Sequence, residues 1–307
     1  MQLPPPAPID IAPPALQPEP PTSLIGECFQ VGDLTLSAAR GPANGPPLLL
    51  IHGVTRCWQD WSVLLPKLTQ RWRVIALDLR GHGASERSNL GEYLIRDFAA
   101  DAVRFLELLG GEPVVVFGHS LGAMVAAVVA EHAPGRVRAL VLEDPPGTTL
   151  AERVSESPFH LQFAGIQRLL ATPRSVDDLT RALADLPVRR PGDGAVVKFS
   201  ELRDPAALRF SAECLLKMDP RVLEPLLAGR WLDGLDWFAE LPRIACPTLL
   251  LRADPVLGGM LSAVEAEHVA ARIPRCRRVD LPGIGHNIHS TQPQRTLELV
   301  NSFLNSL

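Results

Sequence analysis

The sequence predicts an α/β fold: a doubly wound, mostly parallel eight-stranded sheet with a helical insertion. Strand and helix patterns alternate along most of the chain after Cys28. Several strand patterns are continuous apolar runs, which is typical of strands buried on both faces of a parallel sheet. The alternation stops only between Pro145 and Leu241. With 307 residues and 46% hydrophobic composition, the chain is long enough to bury the core that this fold needs.

The first two segments are a proline-rich tail and a hairpin. Residues 1–25 contain nine prolines, and proline supplies no backbone donor for helices or sheet ladders. We therefore expect residues 1–25 to form an extended tail. Residues 28–40 alternate between apolar and polar side chains around Gly32-Asp33, a pair that favours the turn of an antiparallel β-hairpin.

The other strands and helices of the core are predicted by their hydrophobic spacing. Short apolar runs predict strands at residues 46–53, 72–83, 113–118, 137–144, 247–254 and 276–283. Apolar residues at helical spacing predict helices at residues 93–110, 121–133, 262–273 and 296–307. Together these patterns predict an α/β core made of residues 26–144 and 242–307.

Residues 145–241 are predicted to form a helical cap inserted between two strands of the sheet. Helical fragments in this stretch are repeatedly interrupted by proline, which ends or kinks a helix. No part of the stretch shows the alternation that predicts a strand. We expect the cap to cover the functional site and to exclude water from it.

The pattern Gly118-His119-Ser120-Leu121-Gly122 lies between a predicted strand and a predicted helix. Glycine at both second-neighbour positions leaves room for a sharp turn that holds Ser120 above the sheet. The helix that follows favours negative charge beside the serine, and we expect the hydroxyl to be exposed. A serine that caps a helix in a tight turn is the alternative, but the strand–turn–helix context favours a nucleophile.

A nucleophilic serine needs a histidine base and a carboxylate that orients this base. His286 is the predicted base because it lies in a glycine-rich loop between the last strand and the last helix. His289, in the same loop, is the second choice, although a solvated loop histidine is its expected role. Asp254, at the end of a predicted strand, is the predicted acid.

Two further carboxylates remain open as the acid. Glu143 and Asp144 end the strand that precedes the cap, so they also satisfy the chain order of nucleophile, acid and histidine. Proline follows Asp254 directly, and an Asp-Pro turn is often structural.

Taken together, five motifs resemble the α/β-hydrolase superfamily, in particular its cap-bearing serine esterases and lipase-like members. The motifs are LLLIHG at 48–53, DLRGHGAS at 78–85, GHSLG at 118–122, PTLLLRAD at 247–254 and GIGHNIH at 283–289. The resemblance covers residues 29–304, with the predicted cap less well matched.

The resemblance implies a catalytic triad of Ser120 as nucleophile, His286 as base and Asp254 as its orienting acid. It also implies an oxyanion hole made by the backbone N–H groups of Val54 and Leu121. One departure concerns the acid: many relatives carry a Gly-x-x-Asp loop where this chain has Asp254 followed by proline. In some relatives the acid lies at the position of Asp144 or Glu143, so these stay alternatives.

Hydrolysis of carboxylic esters through an acyl-enzyme is the predicted reaction. Lactone hydrolysis, carbon–carbon bond hydrolysis and cofactor-free perhydrolysis use the same triad and remain alternatives, as does a non-catalytic ligand-binding role. Haloalkane dehalogenases and epoxide hydrolases of the superfamily use an aspartate where this chain has Ser120. Epoxide hydrolases also need cap tyrosines, and the single tyrosine, Tyr93, precedes the predicted cap.

Composition excludes several other classes of function. The net charge is −4 and the pI is about 6.1, so a nucleic-acid surface is not expected. No apolar run is long enough for a membrane span, and the N-terminus shows no signal-peptide pattern. The five cysteines are scattered, as expected for free thiols in a reducing cytoplasm. We expect a small-molecule ester substrate, with no cofactor and no metal; the oligomeric state is not predicted.

Overall fold

The computed structural model describes residues 24–307, so the predicted tail lies outside the described residues up to position 23. Ile25, its last predicted residue, already belongs to the first strand. The ten strands are β1 Ile25–Val31, β2 Leu34–Arg40, β3 Pro47–Ile51, β4 Arg73–Leu77, β5 Val114–His119, β6 Val137–Glu143, β7 Pro187–Arg189, β8 Val196–Lys198, β9 Thr248–Ala253 and β10 Cys276–Leu281.

Eight of the strands form one sheet in the order β1-β2-β4-β3-β5-β6-β9-β10. Strands β1 and β2 form the predicted antiparallel hairpin, with Gly32 at a φ of +59° in its turn. Strand β2 is antiparallel to β4, and the pairs from β4 through to β10 are parallel. The prediction of a mostly parallel eight-stranded sheet is therefore confirmed.

Helices cover both faces of this sheet. They are α1 Leu65–Leu68, α2 Ile95–Leu109, α3 Leu121–His132, α4 Gly147–Arg153, α5 His160–Leu170, α6 Val176–Ala184, α7 Pro205–Leu216, α8 Leu223–Leu227, α9 Trp237–Glu240, α10 Ala263–Arg272, α11 Ile288–Thr291 and α12 Pro293–Leu304. Alternation along β3 divides the core: Leu49 and Ile51 pack in the cluster that contains α2 and α3. Leu48 and Leu50 pack in a second cluster with α1 and α12.

The chain between β6 and β9 contains helices α4 to α9, as expected for a helical stretch that proline interrupts. It also contains a short hairpin. Strands β7 and β8 pair antiparallel, with Val188 buried between exposed neighbours. No strand is predicted here from the sequence, and that prediction was wrong. Each strand is three residues long, too short to show a hydrophobic period.

Buried polar contacts join this helical region to the core. Asp219 is buried; its carboxylate accepts a hydrogen bond from the Tyr93 hydroxyl at 2.7 Å, and its N–H donates to the carbonyl of Gly81 at 2.7 Å. The Sγ atoms of Cys57 and Cys214 lie 3.2 Å apart, and all five cysteine thiols are free. Within residues 24–307, no helix combines the length and apolar character needed to cross a lipid bilayer.

Candidate active site

The turn between β5 and α3 holds Ser120 in a strained backbone conformation, at φ 55° and ψ −120°. Both flanking glycines are required by contacts. A Cβ on Gly118 would overlap the carbonyl of Gly122, and a Cβ on Gly122 would overlap the carbonyl of Ile51. The turn is therefore the close-packed strand–turn–helix junction that the sequence predicts.

The side chain of Ser120 is not exposed as expected, since the residue is only 3% accessible. The loop after β3 packs directly against it: a Cβ on Gly53 would lie 3.2 Å from Ser120 Cβ. This close approach brings the segment that contains Val54 to the serine. Within the described residues, neither the Val54 N–H nor the Leu121 N–H donates a hydrogen bond to a protein acceptor. Both groups are thus free to bind an oxyanion.

The structure pairs His286 with Asp144. His286 Nδ1 lies 2.6 Å from Asp144 Oδ2, and Asp144 is fully buried. The backbone N–H of Ala253 donates to Asp144 Oδ1 at 3.1 Å, and that of Met260 donates to Oδ2 at 2.8 Å. These donors fix the position of the carboxylate, which in turn holds the imidazole in one orientation.

Backbone strain is concentrated at the same site. Among the described non-glycine residues, only Ser120 and Asp144 have a positive φ, of 55° and 42°. Such conformations are costly and tend to occur where function requires them. The positive φ costs less free energy at Asp144 than at Ser120, because aspartate tolerates the left-handed region better than serine does.

Asp254, the predicted acid, does not contact His286. Its carboxylate accepts hydrogen bonds from Gly283 N–H at 2.9 Å and Val256 N–H at 3.0 Å. These two donors hold the pKa of Asp254 below its usual value. The physical reason for the difference is the proline at 255: it starts a 3₁₀ turn that Asp254 caps. Asp254 thus anchors the loop that leads to His286, and the alternative carboxylate Asp144 reaches the imidazole.

Glu143, the other alternative acid, binds His289 instead. His289 is fully buried, and both its Nδ1 and its backbone N lie 2.9 Å from Glu143 Oε1. Its Nε2 lies 3.3 Å from Asp60 Oδ2. Burial opposes a charge on this imidazole, but Glu143 and Asp60 outweigh it and raise the pKa of His289 to about 10. The expectation of a solvated loop histidine was wrong, and a histidine held between two carboxylates is not free to act as the base.

An inner group of side chains was not predicted from the sequence: Asp60, His119, Glu143 and His289. His119 and Glu143 directly precede Ser120 and Asp144 at the ends of β5 and β6. Successive side chains of a strand point to opposite sides, so each pair places one residue in the candidate triad and one behind it. That alternation is the signal that could have found the group.

Comparisons with known proteins agree with the fold. A family model described as the alpha/beta hydrolase fold matches residues 46–293. A 2-(acetamidomethylene)succinate hydrolase from Mesorhizobium japonicum is 26% identical over 92% of this chain and 96% of its own length. An sn-1-specific diacylglycerol lipase from Mus musculus is 28% identical over 88% of this chain and 85% of its own.

A solved structure has the same architecture. The N-formylmaleamic acid deformylase from Pseudomonas putida superposes with a TM-score of 0.72 over 90% of this chain and all of its own, at 21% identity. The family match spans strands β3 to β10 and the region between β6 and β9. The chain therefore belongs to the α/β-hydrolase family.

Proposed function

We propose that this hydrolase cleaves carboxylic esters through an acyl-enzyme, with Ser120 as nucleophile, His286 as base and Asp144 as the orienting acid. The observation that carries the proposal is the 2.6 Å contact between Asp144 and His286 Nδ1. The strained turn at Ser120 supports it, because a nucleophile held on such a turn is the arrangement by which this fold presents a serine.

Each group has a defined role in the proposed reaction. Asp144 accepts a hydrogen bond from the Nδ1–H group of His286, which leaves the Nε2 lone pair available as the base. As His286 takes the proton of Ser120, the serine oxygen bonds to the ester carbon, and the oxyanion is bound by the N–H groups of Val54 and Leu121. When the tetrahedral intermediate collapses, the bond between the ester carbon and the alcohol oxygen breaks, and the alcohol leaves with the proton that His286 took from Ser120. Water then attacks the acyl-enzyme in the same way and releases the acid.

Other reactions of the same triad remain alternatives: hydrolysis of lactones or of carbon–carbon bonds, and perhydrolysis. A ligand-binding role without turnover is a further one. We would measure hydrolysis of p-nitrophenyl acetate, butyrate and octanoate beside a panel of lactones. Ester turnover well above that of lactones supports the proposal, whereas preferred lactone turnover would replace it with the first alternative.

The nucleophile is tested by labelling. A serine-directed phosphonate should modify Ser120, and Ser120→Ala should lower kcat by about 10³-fold or more with an unchanged melting temperature. Modification of a different serine, or no turnover of any ester or lactone by a folded protein, would count against a Ser120 esterase.

A substrate that carries a carboxylate is a second candidate, favoured by two arginines. Arg56 lies on the loop after β3, and its Nη1 donates to Ser211 Oγ of α7 at 2.9 Å. Arg203, just before α7, is half-buried, and no carboxylate within the described residues hydrogen-bonds to its guanidinium. Burial and the nearby Arg56 lower the pKa of Arg203 to about 10. An unpaired, partly buried cation favours an anion beside it.

The name of the Mesorhizobium relative also states a succinate-derived substrate. The matched probes are p-nitrophenyl hemisuccinate and p-nitrophenyl butyrate, which differ in the charge at the end of the acyl chain. Preference for the hemisuccinate should disappear in Arg203→Gln if Arg203 binds the carboxylate. Equal kcat/KM for both esters in the unmodified protein would exclude this candidate.

A further inference from the structure

Behind the candidate triad, three polar atoms face one another without a hydrogen bond. Asp60 Oδ2 lies 3.3 Å from His289 Nε2 and 3.8 Å from His119 Nδ1. None of the three atoms makes a well-aligned hydrogen bond within the described residues, although His289 Nε2 and Asp60 Oδ2 are close enough to form an ion pair. All three lie within 4.8 Å of one another, and their residues are 8%, 0% and 2% exposed. Such atoms are costly to bury unless something binds them.

While His119 is neutral, protons alone do not satisfy this arrangement. His119 Nε2 lies 3.2 Å from the main-chain oxygen of His286, so a neutral His119 that donates there presents a lone pair at Nδ1. That lone pair faces Asp60 Oδ2, which is also an acceptor. A proton on His289 Nε2 can serve Asp60, but His119 Nδ1 still has no donor. A cation among the three atoms satisfies all of them.

Each of these side chains is also held from its far side. Glu143 accepts from His289 Nδ1 at 2.9 Å, and the main-chain oxygen of His286 accepts from His119 Nε2. Arg56 Nε lies 3.6 Å from the other oxygen of Asp60. Metal-binding histidines usually donate their second ring nitrogen to a carboxylate or a main-chain oxygen, which fixes the ring and its tautomer. Both histidines here have that arrangement.

We propose that Asp60, His119 and His289 form a binding site for a divalent cation of the zinc type. Two imidazole nitrogens and a carboxylate oxygen are ligands that Zn²⁺ accepts. Tetrahedral ligands at zinc bond lengths are about 3.4 Å apart, close to the two observed separations. Gly53 keeps the Nδ1 side of His119 open, since a Cβ there would lie 3.1 Å from this atom. No metal was expected from the sequence, in which these three ligands share no spacing motif.

The proposed ion joins the segments that carry the candidate active site. His119 precedes Ser120, His289 follows His286 by three residues, and Asp60 lies on the loop after Val54. The ion itself contacts neither the substrate nor Ser120. Its ligands are positioning residues, and its expected effect is to stabilise the relative placement of these three segments. On binding, the ion replaces the proton of His289 Nε2, which is released to solvent.

The test measures metal content, so its outcome does not depend on ester hydrolysis. Protein without an affinity tag is dialysed and analysed for bound metals, then depleted with a chelator and titrated with Co²⁺. We expect stoichiometric zinc after dialysis and the visible absorption of tetrahedral Co²⁺ on titration. Added Zn²⁺ should raise the melting temperature of depleted protein, because an ion that binds only the folded state stabilises it.

Variants locate the site. Asp60→Asn and His289→Gln should lose the zinc and the Co²⁺ absorption, whereas His132→Gln should retain both. His132 is the matched control because Glu131, His132 and Glu240 also bring ligand atoms within 4.8 Å, but at the surface.

If the buried variants do not fold, the Co²⁺ titration of the unmodified chain decides. Absence of bound metal, absence of Co²⁺ absorption and an unchanged melting temperature would overturn the proposal and leave an ion-paired His289 in its place. Loss of binding in His132→Gln alone would overturn it as well.

Discussion

At the scale of single residues, the two aspartates at the ends of β6 and β9 have different contacts. Asp144 holds the imidazole of His286, and Asp254 holds two backbone N–H groups. We expect Asp144→Asn to lower kcat by about 10³–10⁴-fold with little effect on the melting temperature, because the amide favours the wrong tautomer of His286. Asp254→Asn should instead lower the melting temperature, because the amide cannot accept both backbone hydrogen bonds, and leave kcat within a few-fold.

The two variants are each other's control, since both exchange one oxygen for an NH₂ group. Kinetics with p-nitrophenyl butyrate and thermal unfolding are measured on both. A larger loss of kcat in Asp254→Asn than in Asp144→Asn would mean that Asp254 is the orienting acid, as the sequence predicts.

Gly122 is required by a single close contact. A Cβ at this position would overlap the carbonyl of Ile51 in the neighbouring strand β3, and backbone cannot move aside as a flexible side chain can. Gly122→Ala should therefore lower the free energy of unfolding by about 3 kcal/mol or more. It should prevent folding if the protein is only marginally stable. Gly26→Ala is the control, because a Cβ at Gly26 meets nothing within 4 Å. Equal melting temperatures for the two variants would contradict this reading of the turn.

At the scale of elements, Asp219 joins the region between β6 and β9 to the core through Tyr93 and Gly81. Burial would raise the pKa of Asp219, but hydrogen bonds from Arg221 and Tyr93 outweigh it and lower the pKa below its usual value. Because the folded-state pKa is lowered, the stabilisation is present above the unfolded aspartate value of about 3.9 and is lost as the pH falls through the folded value.

Asp219→Asn should therefore destabilise the protein by about 1.5–3 kcal/mol at neutral pH, the range for hydrogen bonds to charged groups. The difference from the unmodified protein should shrink below about pH 4. Denaturant unfolding at a series of pH values measures it. A difference that is constant down to about pH 2 would mean that the charge of Asp219 makes no contribution.

The order of elements in the core could be predicted from hydrophobic spacing, because each strand and helix carries its own period. The choice between the aspartates could not, since it depends on the register of neighbouring strands. In the parallel pair β6–β9, Glu143 lies beside Leu251. Asp144 therefore lies beside the residues that precede Asp254, and its carboxylate accepts a hydrogen bond from the N–H of Ala253. The hairpin of β7 and β8 was missed because its three-residue strands are too short to show a period.

For the molecule as a whole, Ser120 is buried, so we expect the region between β6 and β9 to move when substrate enters. One pair of thiols spans the two parts that this movement would separate: Cys57 lies on a core loop, and Cys214 lies on α7 between β6 and β9. Their Sγ atoms are 3.2 Å apart and both residues are buried, so a small shift brings them to the bond length of a disulfide.

Diamide, which takes up two hydrogen atoms as two thiols form a disulfide, should therefore join Cys57 to Cys214 and hold α7 against the core. We expect kcat/KM to fall more for p-nitrophenyl octanoate than for the acetate, because a long acyl chain needs a wider opening. Dithiothreitol should restore both rates, and Cys214→Ala should not respond to diamide. The bond is identified by mass spectrometry of non-reduced peptides. If the cross-link forms and both esters keep their kcat/KM, substrate does not enter by separation of α7 from the loop of Cys57, and the opening must lie elsewhere between β6 and β9.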